Sequence, residues 1–110
     1  MFKKGPAQLI MARSFGENAA IDETVYECEL LRYEKRSECI YLLLKEDMLT
    51  EISQDALYRC RLEENDTLCE VIGCIRERYC SEEGNILEFK IENGVYLVNG
   101  EQNVTVQPSG

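Results

Sequence analysis

Short runs rich in β-forming residues recur about every ten residues along this chain, each closed by turn chemistry, and almost no stretch carries a long helical period. Val25 to Leu31 alternates, with Tyr26, Cys28 and Leu30 on one face and Glu27 and Glu29 on the other. The polar turn Glu34-Lys35-Arg36-Ser37 leads into Cys39 to Leu44, a run apolar on both faces that suits a strand covered from both sides. Leu57 to Leu62 follows and is closed by Glu64-Asn65-Asp66. Leu68 to Cys80 is the longest run, and Gly73 within it suggests a bulge or tight bend. Glu83-Gly84-Asn85 turns the chain into Ile86 to Ile91. Asn93-Gly94, before Val95 to Val98, predicts a type I′ hairpin, because both turn positions need positive φ. Met48, Leu49, Ile52 and Ala56 fall at helical spacing, so Asp47 to Ala56 reads as a short helix or a loop. About six strands in hairpin succession make the fold class all-β, a small antiparallel barrel or sandwich. Residues 1–20 show no clean period and are expected as an N-terminal arm packed on a barrel of residues 21–100, with an irregular tail over 101–110.

A chain of 110 residues fits one domain, and 45% hydrophobic content lets it bury a small core. Met1 to Pro6 is basic, but the apolar stretch after it, Ala7 to Ala12, is too short and too polar for export. No run approaches the roughly 20 apolar residues of a membrane helix. Six cysteines with no C-x-x-C fall inside strand-like runs, and histidine is absent. They read as reduced, small hydrophobes in a cytoplasmic protein rather than disulfides or metal ligands. The net charge of -9 repels nucleic acid and anionic membranes, so a protein is the expected partner.

No catalytic residue is expected: there is no histidine, phosphate loop or nucleophile elbow, and the acids alternate along predicted strands. Two clusters stand out. Arg32-Tyr33-Glu34-Lys35-Arg36 is a basic knot in an acidic body, and Glu51-Ile52-Ser53-Gln54-Asp55-Ala56 precedes a β-run. Together, and over about Arg32 to Val98, they resemble the bipartite signature of PilZ domains, an Arg-x-x-x-Arg segment followed by an Asp/Asn-x-Ser-x-x-Gly turn. The resemblance implies a PilZ-like small barrel. It also implies Arg32, Arg36 and Ser53 as ligand-binding residues, with cyclic di-GMP as the ligand. Glu51 and Ala56 depart from the pattern, the latter where the family's turn carries glycine. Read from the residues alone, Arg32 or Arg36 would instead pair with Glu34 or Glu38 in a solvated turn. The expected function is a non-enzymatic regulatory or protein-interaction module on a degenerate barrel of this type, and the alternative is a cyclic di-GMP receptor. Lys3, Lys4, Arg76, Arg78 and Tyr79, basic and aromatic against the acidic body, are the expected partner-contact residues.

Overall fold

The computed structural model describes residues 4–15, 22–45, 52–64, 67–92 and 96–97. The strands are β1 (Gly5–Ser14), β2 (Val25–Glu34), β3 (Cys39–Leu44), β4 (Ala56–Glu64), β5 (Thr67–Ser81), β6 (Gly84–Ile91) and the two-residue β7 (Tyr96–Leu97). Every pairing is antiparallel, and the order β4-β1-β2-β3-β6-β5 closes through β4–β5 into a barrel. No helix occurs among the described residues; of the helical reading, Asp47 to Glu51 lie outside the described residues and Ala56 opens β4. The ring divides into two three-stranded meanders, β1–β2–β3 and β4–β5–β6, joined by the seams β1–β4 and β3–β6. The β2–β3 turn and the β4–β5 turn therefore lie at one end of the barrel. The β1–β2, β3–β4 and β5–β6 connections lie at the other.

Period-two alternation fills the interior. Ala7, Leu9 and Met11 of β1, Tyr26, Cys28 and Leu30 of β2, and Ile40, Leu42 and Leu44 of β3 point inward and are buried. Tyr58, Cys60 and Leu62 of β4, Val71 and Ile75 of β5, and Leu87 and Phe89 of β6 complete the core. Burying each large apolar side chain stabilises the fold by roughly 1.5–3 kcal/mol. Register shifts between Met11 and Arg13, Leu30 and Arg32, and Ile75 and Glu77 mark three bulges that help a six-stranded sheet curl closed. Gly73 is not itself a bulge. It sits where β5 passes from pairing with Tyr58 to pairing with Ile91, and a Cβ there would lie 2.0 Å from the Lys90 carbonyl oxygen.

Three expectations change. Gly5–Ser14 is a stave of the barrel between β2 and β4, not an arm lying on it. Its alternation is masked in sequence because the outward positions Ile10 and Ala12 are also apolar, and because a bulge interrupts the period. Asn93-Gly94 lies outside the described residues, and among the described residues β7 pairs with β5 and not with β6. Tyr96 and Leu97 pair with Glu70 and Cys69, so β7 continues along the edge of β5 that β6 occupies. The turn after β5 is Glu82–Glu83, bracketed by the Ser81–Gly84 pair, with Gly84 at φ 129.

Candidate functional site

At the end of the barrel where β1, β3 and β5 finish, residues 52–55, which lead into β4 on the side of the ring opposite β3, lie over the mouth. Ile52 on this crossing is fully buried and plugs the interior. Buried tyrosines need a partner for each hydroxyl. Tyr58 Oη accepts the Ser53 N–H at 2.9 Å, and Tyr26 Oη donates to the Asp22 carboxylate on the β1–β2 connection. Arg78 donates from its guanidinium to the Ile52 carbonyl. Burial, then the Asp22 carboxylate, pushes the Tyr26 hydroxyl well above the ordinary tyrosine range. Burial alone would raise Asp22, but hydrogen bonds from Tyr26 and Thr24 outweigh it and hold the carboxyl below its ordinary value. This cluster caps the mouth and ties Asp22, Ile52 and Ser53 to the barrel.

The arrangement that the sequence pointed to is divided. Arg36 is exposed in the β2–β3 turn at the far end of the barrel, whereas Ser53 lies on the crossing at the mouth. Ser53 is engaged within its own turn, its Oγ accepting the Asp55 N–H at 2.9 Å. Arg32 points outward with its guanidinium 4.1 Å from the centre of the Tyr41 ring, its cross-strand neighbour. Glu34 accepts from the Ser37 hydroxyl and Glu38 meets Lys90 at 3.5 Å, so neither takes the pairing with Arg32 or Arg36 that the residues suggested. Arg32, Arg36 and Ser53 are not brought onto one surface. The other set is also dispersed. Lys3 lies outside the described residues, and Lys4 is exposed just before β1. Arg76 and Tyr79 are on the outer face of β5, where Arg76 meets Glu88 at 3.6 Å and the Cys39 thiol at 3.5 Å. Arg78 turns inward, because the bulge after Ile75 resets the alternation and pairs Arg78 with the buried Leu87.

A different surface comes together on the outside of β1 and β4. The inward residues of β4 are Tyr58, Cys60 and Leu62, so Leu57, Arg59, Arg61 and Glu63 face out. Across the strands Arg59 pairs with Ile10 on one side and Ile72 on the other, and Ile10 pairs in turn with Val25. Val25–Ile10–Arg59–Ile72 is thus one row over four strands, with neighbouring Cβ atoms about 5 Å apart. Val25 is 44% exposed. Arg59 is half-buried, and its Nε is the one buried side-chain nitrogen or oxygen among the described residues without a hydrogen-bond partner. In the next row Gln8 bonds Glu27 at 3.0 Å and Arg61 meets Glu70 at 2.8 Å. A shallow groove of about 180 Å³ opens there, bordered by Pro6, Gln8, Glu27, Arg61, Glu63 and Leu68. Arg13, beside Phe15 with the guanidinium 5.7 Å from the ring centre, extends the basic line towards the mouth.

Sequence reading overlooked Arg59 and Arg61, though the signal was present. The run Leu57 to Leu62 alternates, and its polar face carries two arginines where the run Val25 to Leu31 carries glutamates. Among the described residues no group of acids and thiols is arranged to hold a metal ion, and no helix is long and apolar enough to cross a membrane. Comparison with protein-family models, with curated proteins and with solved structures finds no match.

Proposed function

We propose that this protein is a non-catalytic interaction module whose working surface is the outer face of β1 and β4, centred on Arg59. One observation carries the reading: a half-buried arginine stands in an aliphatic row with its Nε buried and unpartnered. Leaving a buried donor unpaired costs roughly 1–3 kcal/mol, so a position that keeps one has a use for it outside the fold. Two further features support the reading. The barrel interior is filled by side chains, which directs recognition to the outside. The mouth residues Ser53, Tyr58 and Arg78 are engaged in tying down the crossing. The expected partner is a protein, because a surface of Val25, Ile10 and Ile72 offers apolar contact and the body's charge of -9 disfavours polyanions.

The test is photo-crosslinking in cells that produce the protein, with p-benzoylphenylalanine in place of exposed Val25 or exposed Tyr79. The reading expects a discrete adduct with another protein from position 25, and its loss when Arg59→Glu is added. Adducts formed only from position 79 would move the working surface to the outer face of β5 and defeat the assignment.

A further inference from the structure

Resting on that reading, we infer that the Arg59 face takes an acidic partner segment, one carboxylate held between aliphatic side chains. The inference comes from what surrounds the guanidinium. Its cross-strand neighbours, Ile10 and Ile72, are aliphatic, and Val25 extends the row. Among the described residues no carboxylate stands beside it in the row; Glu92, one strand beyond Ile72, accepts from the Cys74 thiol at 3.2 Å. In the next row the acids are engaged, Glu27 by Gln8 and Glu70 by Arg61. A chain with 21 acidic residues and 12 basic ones has ample means of neutralising an arginine. At Arg59 the register places none beside it.

The unpaired Nε also acts on the free protein. In its present rotamer Arg59 keeps a donor out of water with nothing to bond. Swinging the side chain outward releases that donor, so the unliganded state opposes the movement less than it would for a satisfied arginine. Once outward, the planar guanidinium offers the two-pronged geometry that suits a carboxylate, and the flanking isoleucines exclude water from the contact. Long-range repulsion between an acidic segment and the acidic body is screened beyond about 8 Å at physiological salt, whereas a contact at Arg59 is local. The aliphatic row supplies the remaining affinity and distinguishes a segment with apolar flanks from a free anion.

The experiment uses the full chain, with isotope labels on arginine side chains and Ile and Val methyls. It compares three probes by NMR: acetyl-Leu-Ser-Glu-Ser-Leu-amide, the same peptide with Gln for Glu, and sodium acetate. The Glu peptide is expected to shift the Arg59 Nε–H resonance together with the Ile10, Ile72 and Val25 methyls. The Gln peptide is expected to bind roughly tenfold more weakly, and acetate to leave the methyls in place. Arg59→Gln should remove the Glu-over-Gln preference, while Arg32→Gln should leave it intact. Equal binding of the two peptides overturns the proposal, as do shifts centred on Arg32 and Tyr41. Shifts that appear without peptide and grow with protein concentration also overturn it, since the occupant would then be a second copy. Should Arg59→Gln fail to fold, the comparison of the two peptides on the unmodified protein still decides. Crosslinks from position 25 without a charge preference would leave the interaction reading standing and remove this inference alone.

Discussion

Gly73 shows how closely one residue can govern the ring. Its backbone lies so near β6 that an added Cβ would sit 2.0 Å from the Lys90 carbonyl oxygen and 2.8 Å from a Phe89 ring carbon. Neither neighbour yields easily, since one is backbone and the other a fully buried core side chain. Gly73→Ala is expected to destabilise the protein by about 1–3 kcal/mol, read as a lower urea midpoint at unchanged slope; a midpoint equal to the parent's would show that β5 and β6 are further apart. The glycine was legible as a special position in sequence, but its reason was not, because the partner that approaches it comes from a strand many residues later. The same holds for Arg59. Its outward direction follows from the alternation of Tyr58, Cys60 and Leu62, whereas the absence of an acid beside it depends on the registers of β1 and β5. The PilZ-like pattern suffered the opposite fault. Arg32, Arg36 and Ser53 are close enough in sequence to suggest a unit, yet Arg32 is on the outside of β2, Arg36 is in the β2–β3 turn, and Ser53 lies at the opposite end of the barrel.

Among the elements, β2, β3, β4, β5 and β6 were legible to within a few residues, because each is a run rich in β-forming residues bounded by turn residues. β1 was missed where apolar outward residues blurred the period, and β7 was paired with the wrong neighbour on the strength of Asn93-Gly94. The β3–β4 crossing is the element whose role sequence could not show. Its apolar residues fall at helical spacing, and Ile52, fully buried over the mouth, reads in sequence as one apolar position among several. Truncation there leaves a void at the mouth directly above Tyr58, whose hydroxyl the crossing satisfies. Ile52→Ala should therefore cost about 2–5 kcal/mol, while Leu57→Ala, half-buried on the outer face, should cost less than half as much. Equal losses in thermal denaturation would mean that the crossing does not seal the barrel.

At the scale of the whole molecule, the buried phenols set a limit at high pH. Burial raises both Tyr26 and Tyr58 above the ordinary value of 10.0; Asp22 adds to this in each, while the Ser53 N–H and Arg78 partly oppose it in Tyr58. In the unfolded chain the phenols lose their protons near that ordinary value, and in the barrel they hold them to higher pH. The stability they contribute is thus fully present below 10.0 and drains away as the pH climbs above it. Urea unfolding followed from about pH 9 to about pH 11 should show this decline, and the Tyr26→Phe/Tyr58→Phe double variant should show a shallower one. A slope unchanged by the double substitution would place the alkaline lability elsewhere. Closure of the sheet is likewise a property of the whole, invisible in alternation because each seam unites strands from different halves. That has a consequence for how the protein is made. As the chain emerges during synthesis, β1, β2 and β3 can fold against one another at once, but β1 waits for β4, and β3 waits until β6 has been added. For that interval Leu9, Tyr26, Leu30 and Leu42 form the greasy face of an open half-pipe with two unpaired rims. The nascent first half is the stage at which this small protein is most exposed to sticking to its neighbours, and the stage at which a chaperone would find the most to hold.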